Sequence, residues 1–175
     1  MSDLLTETGA DFSPCRTWRY RLWRTWDAGR PPLVMLMLNP STADEDNNDP
    51  TVERCERRAR RIGAGGLVVL NIFAFRATDP AVMKAVDDPV GPGNDAAILH
   101  ELAAVAAART EGRPAATICA GWGIHGAHRG RDREVSAMFV EAGVPLYCLG
   151  VTANGQPRHP LYIANAAEFQ PWSAP

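Results

Sequence analysis

The stretch Leu33-Val-Met-Leu-Met-Leu-Asn-Pro-Ser-Thr-Ala-Asp44 decides the fold. The residues from Leu33 to Leu38 are all apolar and do not alternate, the pattern of a strand buried on both faces. Pro40 lacks an N–H and holds Asn39 extended, so the strand stops there. Such strands belong to open α/β sheets, where ligands bind just beyond the carboxyl ends. Asn39 to Asp44 is therefore the first place to look for chemistry.

On the N-terminal side, residues 1–14 lack periodicity and are expected to fray. Residues 18–26 are rich in β-formers and arginine, and Asp27-Ala-Gly-Arg-Pro-Pro32 supplies a turn. This reads as a strand pairing antiparallel with 33–38. On the C-terminal side, Asp49-Pro50 starts a helix, with Asp as cap and Pro as first residue. Val52, Cys55, Ala59 and Ile62 form its apolar face, and Gly63 and Gly65-Gly66 end it. Residues 67–72 are a second buried strand, and 79–93 a Pro/Gly-rich connection with one short helical turn. Asn94 or Asp95 caps a helix whose core face is Ile98, Leu102 and Val105, broken at Arg113-Pro114. A third strand spans 115–120. A helix from Arg131 to Ala142 turns Val135, Met138, Phe139 and Ala142 inward, and a fourth strand spans 144–149. Strands alternating with helices of this length imply right-handed parallel crossovers. The expected fold is a three-layer α/β/α sandwich. It has a central four-stranded parallel sheet plus an antiparallel N-terminal strand, in a single domain over 1–175 with its core at about 18–165.

The bulk composition narrows the function classes. The chain has 175 residues, 46% of them hydrophobic and 22% charged, which is ordinary globular composition. A net charge of −2 creates no global field for nucleic acid, so any such binding needs a local patch. Cys15, Cys55, Cys119 and Cys148 are far apart and fit no metal-ligand spacing; they read as reduced thiols of a cytoplasmic protein. No apolar run approaches the ~20 residues of a membrane span, and no signal-peptide pattern is present. No cofactor or metal is expected; the sequence leaves the oligomeric state open, with a monomer favoured.

The strand ends bring four polar clusters to one rim. The first is Asn39-Pro40-Ser41-Thr42-Ala43-Asp44 with Asp46, Asn47 and Asn48. The second is Asn71, Phe73, Arg76 and Thr78. The third is Gly121-Trp122-Gly123 with His125, His128 and Arg129, and the fourth is Thr152, Asn154, Arg158 and His159-Pro160. Asn71 interrupts an apolar strand, where an unbonded amide is costly. It either reads the edge of a base, offering donor and acceptor side by side, or ties down a neighbouring loop. Asp44 to Asp49 has the residue types of a Mg²⁺ or Ca²⁺ loop, but no second carboxylate cluster closes a site, so a polar loop and helix cap is favoured. Arg54, Arg57, Arg58, Arg60 and Arg61 stud the outer face of the first helix. They form either a phosphate-binding surface or a solvated face paired with Glu53 and Glu56. Arg129 and Arg131 lie in a basic, Gly-containing segment at a helix entrance, a context suited to phosphate. No Gly-x-Ser-x-Gly and no P-loop occurs.

These motifs carry a resemblance. Leu38-Asn-Pro-Ser-Thr-Ala-Asp44, Asp49-Pro-Thr51, Leu70-Asn-Ile-Phe-Ala-Phe-Arg-Ala-Thr-Asp-Pro80 and His159-Pro-Leu-Tyr162 resemble domain-of-unknown-function family 1643, which assigns no activity. More distantly, the pattern is similar to the uracil-DNA glycosylase superfamily. Leu38-Asn39-Pro40-Ser41 looks like its first motif, which holds a water-activating residue near a Pro. Asn71 lies where the superfamily has a base-reading Asn, and His159-Pro160 matches its last motif, with Leu161 in place of a Ser. Phe73 and Phe75 are candidates for the aromatic that stacks on the base.

The resemblance implies cleavage of an N-glycosidic bond to a modified or deaminated base in DNA. Asn39 would position water, and His159 would stabilise the departing anionic base. Asn71, Phe73, Pro40 and Ser41 would bind the base, and Asp44 or Asp46 would serve as an alternative general base. Arg76, Thr78, Arg129, Arg131 and Arg158 would hold the nucleic acid or a phosphate. Two other readings fit the same residues: an enzyme acting on free nucleotides or nucleosides, and a non-catalytic module that binds a modified base.

Overall fold

The computed structural model describes residues 6–175. In chain order its strands are β1 (Glu7–Phe12), β2 (Arg19–Thr25), β3 (Leu33–Met37), β4 (Gly66–Asn71), β5 (Thr117–Ala120), β6 (Tyr147–Cys148) and β7 (Gln170–Pro171). The α-helices are α1 (Pro50–Arg61), α2 (Pro80–Ala85), α3 (Asn94–Thr110) and α4 (Arg131–Ala142). Ile124–Gly130 forms 3₁₀ turns interrupted by non-helical backbone at His128 and Arg129, and Pro160–Tyr162 forms another. The result is a mixed α/β fold on one seven-stranded mixed sheet, ordered β1-β2-β4-β3-β5-β6-β7.

β3 sits inside that sheet, parallel to β4 on one side and to β5 on the other. Its five residues are all buried, as an apolar run without alternation requires. Val34, Leu36 and Leu38 face one core with Ile98, Leu102, Val135 and Phe139, from α3 and α4. Leu33, Met35 and Met37 face a second core with Val52, Cys55 and Ala59, from α1. β6 extends the parallel set beside β5, so β3, β4, β5 and β6 all deliver their carboxyl ends to one rim.

The structure corrects several sequence expectations. β2 pairs antiparallel with β4, Leu22 opposite Val69, and not with β3. The loop from Asp27 to Pro32 does not close a hairpin; it wraps the start of β4. The Trp26 and Asp27 N–H groups donate to Gly65 O at 3.0 and 2.8 Å, and Gly65 N–H donates to Pro31 O at 3.0 Å. A Cβ on Gly65 would run into the Asp27 and Arg30 carbonyls, so this crossing needs glycine. Residues 7–12 do not fray. They form β1, antiparallel to β2, with the Trp23 indole lying over Gly9. The part of that expectation covering residues 1–5 lies outside the described residues.

Asp49 caps α1, its Oδ1 accepting from Val52 N at 2.9 Å. α3 differs: neither Asn94 nor Asp95 caps it, and Gly93 precedes it without a side-chain cap. The Asn94 amide instead donates to Asn71 O at 2.8 Å and Ile72 O at 3.1 Å, satisfying carbonyls where β4 runs out of ladder partners. The fourth parallel strand is short, because Pro145 has no N–H to give a ladder. No helix among the described residues is long and apolar enough to cross a membrane. The cysteines are free, Cys15 exposed and the other three buried.

Candidate functional site

A cavity of about 700 Å³ opens beyond the carboxyl ends of the parallel strands, within the size range of small-molecule sites. Asn39, Ser41, Asn71, Thr78, Arg158 and His159 all line it. With Trp122 and His125 after β5, the loops after all four parallel strands therefore converge here.

Asn39 follows β3. Its Nδ2 donates to Ala77 O at 2.7 Å, Pro40 O at 3.2 Å and Phe75 O at 3.5 Å. The amide nitrogen is thus committed to carbonyls, which fixes the side-chain orientation. Oδ1 receives no hydrogen bond from the described residues and is the atom left to act on a ligand or a water.

Asn71 ends β4 and is 2% exposed. Its Oδ1 accepts from Arg19 Nη2 at 3.3 Å. Arg19 also lines the cavity, donates to Ala43 O at 2.8 Å and is itself buried. Burial pulls the Arg19 guanidinium down to about 10, partly opposed by Asp49, so it stays cationic at neutral pH. A guanidinium has only donors, so it can hold only the oxygen end of the amide. Nδ2 is the end left for the cavity.

His159 begins the last 3₁₀ segment. Its Nδ1 accepts from Leu161 N at 3.3 Å, which places the proton of the neutral ring on Nε2. Burial lowers its pKa, partly opposed by Asp49, so the neutral ring prevails at pH 7. The Tyr162 ring lies 5.8 Å away, and Tyr162 is 75% exposed at the mouth.

The segment carrying His159 is held by α1. Arg54 donates to Pro160 O at 3.1 Å and Ile163 O at 2.6 Å. Arg58, fully buried, donates to Asn165 O, Ala167 O and Ala164 O at 3.0, 3.1 and 2.9 Å. The α1 arginines are therefore not all on an outer face. Arg54 and Arg58 turn inward because an irregular segment leaves carbonyls that need donors. Arg57 and Arg60 stay outside and pair with Glu53 and Glu56 at 3.7 and 2.8 Å.

Other expected site residues lie away from the cavity. The Asp44 carboxylate accepts from Asn47 N, Asp46 N and Asn47 Nδ2 at 2.8, 3.0 and 3.1 Å; these bonds hold its pKa below the usual range and make it a loop staple. Pro40 is buried, and its carbonyl accepts from Ala77 N. Phe73 belongs to the α3/α4 core, 5.8 Å from the His128 ring, and Phe75 packs against the same core. Arg76 stacks on Phe12 and donates to Arg16 O. Arg129 donates to Asp87 O and Val86 O. Arg131 is buried and joins Ile72 O to Asp95 and Glu134, fastening α4 to the end of β4 and to α3. These last two spend their donors on carbonyls and neighbouring carboxylates, not on a phosphate.

Conversely, Arg19 and Asp49 line the cavity without having been singled out as site residues. Asp49 reads as a helix cap, and it is one; its position also makes it the carboxylate that faces the cavity among the described residues. Arg19 carried no sequence signal that set it apart: β2 holds Arg19, Arg21 and Arg24, of which Arg19 and Arg24 are buried.

Residues 19–161 match the family described as "Protein of unknown function (DUF1643)". The chain belongs to that family. No curated protein and no solved structure matches it. The matched span runs from Arg19 to Leu161, so it takes in the cavity-lining residues Asn39, Asp49, Asn71 and His159.

Proposed function

We propose that this cavity hydrolyses the N-glycosidic bond of a modified or deaminated base presented in DNA. The observation that carries the reading is the convergence of Asn39, Asn71 and His159 on one cavity, each with its orientation fixed from behind. The parallel strands with helices on both faces support the glycosylase resemblance, as does the placement of its three motifs at their carboxyl ends.

In this mechanism the flipped nucleotide enters the cavity. Asn71 Nδ2 donates to a carbonyl on the base edge. The bond from sugar C1′ to the base nitrogen breaks, and its electron pair leaves with the base. His159 Nε2–H donates to the anion that forms. Water held by Asn39 Oδ1 adds to the oxocarbenium-like C1′, and its proton passes to the Asp49 carboxylate. Asn is a poor general base, so positioning and preorganised donors carry the rate. Asp49 takes the base role that the loop position of Asp44 denies it.

A second reading, hydrolysis of a free nucleotide, has one observation in its favour. Arg76, Arg129 and Arg131 are consumed within the fold, which leaves few cations to track a DNA backbone. One experiment separates the two. Oligonucleotides, single- and double-stranded, each carrying one modified base, are incubated with the protein and cleaved with alkali; the matching nucleoside monophosphates are followed for base release. Strand breaks lost in Asn39→Ala support the DNA reading. Base release from monophosphates alone supports the second, and no release from any substrate overturns both.

A further inference from the structure

The geometry points to a phosphate subsite at one side of the cavity mouth, built from Arg158 and His125, with Lys84 behind His125. Arg158 and His125 both line the cavity. Gly123 N–H donates to Pro157 O at 2.8 Å and so fastens the loop carrying His125 to the loop carrying Arg158. Arg158 is exposed, and among the described residues its side chain makes no hydrogen bond and no ion pair. That sets it apart from Arg19, Arg54, Arg58, Arg129 and Arg131, whose donors are spent inside the fold.

His125 is oriented by Lys84, whose Nζ lies 2.9 Å from His125 Nδ1. An ammonium can only donate, so Nδ1 accepts and the neutral ring carries its proton on Nε2. Lys84 has no carboxylate partner among the described residues, so its charge is not neutralised locally. Asp79, the carboxylate whose charge acts on His125, commits Oδ1 to capping α2 at Ala81 N, 2.8 Å away. A fork of guanidinium donors, an imidazole N–H and a cation behind it match the charge and acceptor capacity of a phosphate group.

The phosphate of a nucleotide would sit here while its base reaches Asn71. That assignment of base and phosphate rests on the proposed function; the affinity for phosphate does not. Phosphate also has two sources, a nucleoside monophosphate or a backbone diester.

The test is calorimetric titration of the full chain with inorganic phosphate, deoxyuridine 5′-monophosphate, deoxyuridine and a thymidine dinucleotide. The expected result is that phosphate binds, and that the monophosphate binds at least tenfold more tightly than the nucleoside. Arg158→Ala and His125→Ala each lower phosphate affinity at least tenfold, Lys84→Gln lowers it less, and Arg57→Ala does not change it. Tighter binding of the monophosphate than of the dinucleotide assigns the site to free nucleotides, and the reverse assigns it to a backbone. Failure of the wild type to bind phosphate at tens of millimolar, or unchanged binding in Arg158→Ala and His125→Ala, overturns the subsite. Binding needs no turnover. A chain that binds phosphate yet releases no base loses the catalytic reading and keeps the subsite.

Discussion

Arg19 Nη2 donates to Asn71 Oδ1 at 3.3 Å, and this contact decides which end of the amide the cavity sees. With the oxygen held, the site offers a donor, which under the proposed function would select a base edge that carries a carbonyl rather than an amino group. Arg19→Met removes the hold and leaves Ala43 O and Asn71 Oδ1 without their donor. The expected outcome is a rate loss of roughly 10²-fold, the scale of a misplaced reacting group. Discrimination between a carbonyl-edged base and its amino analogue falls with it. The ratio of kcat/KM for the two oligonucleotides measures this; an unchanged ratio would mean that Asn71 does not read the base.

In the proposed reaction His159 is the neutral donor. Burial places its folded pKa below the ordinary 6.5, and His125 and His128 are lowered as well, burial again the main cause. The sign follows from linkage: between pH 6.5 and the lower folded values the unfolded chain binds more protons than the native one. The stability these groups contribute is complete above the unfolded pKa and is lost as pH falls through the folded values. Melting temperature should therefore drop on acidification from pH 7 to 5, and less steeply in His159→Gln. Base release should hold as pH falls to 6.5, because the lowered pKa leaves the ring mostly neutral there. A profile that falls to half at or above that value would contradict a neutral donor. In His159→Ala the rate should fall by about 10²–10³ at every pH, the worth of one preorganised donor.

The reach of the sequence can be judged from particular residues. The apolar run from Leu33 to Leu38 is legible because burial on both faces leaves no room for alternation, and Asp49-Pro50 is legible because cap and first-turn chemistry are local. The partner of β2 was not legible. Its choice depends on the Asp27–Pro32 loop wrapping Gly65, a contact between segments far apart in sequence. Arginine roles were the least legible. Arg58 and Arg60 sit two residues apart on α1, yet one grips three carbonyls inside and the other pairs with Glu56 outside. A sequence shows charge but not which carbonyls elsewhere lack donors. In the same way Asp44 and Asp49 differ only in where the folded loop turns them.

Arg58 gives a test of how the His159 segment is held. Arg58→Met keeps much of the side-chain volume but leaves the carbonyls of Ala164, Asn165 and Ala167 without donors. Losing bonds from a buried charged donor costs about 3 kcal/mol, or a fall of roughly 6–12 °C in a domain of this size. Arg57→Ala on the exposed side of α1 should move the midpoint by no more than about 1–2 °C. Thermal unfolding followed by circular dichroism compares them. Equal effects would contradict the clamp.

Asn39 separates scaffold from chemistry within one residue. Its Nδ2 braces the loop through Ala77 O, Pro40 O and Phe75 O, and its Oδ1 is the atom assigned to water. Asn39→Ala removes both, with a rate loss on the order of 10²–10³ and a stability loss of about 1–3 kcal/mol. Asn39→Asp keeps an oxygen for water but turns a second oxygen toward the three carbonyls. The carboxylate then meets acceptors where the amide met them with N–H, so its charged form is disfavoured and the loop loses its brace. Asn39→Asp should therefore fail to rescue the rate at neutral pH and should melt below Asn39→Ala. Single-turnover base release and thermal unfolding on the two variants read the terms apart. An Asp variant as stable and active as wild type would show that the amide nitrogen holds nothing and that the water-activating group lies elsewhere in the cavity.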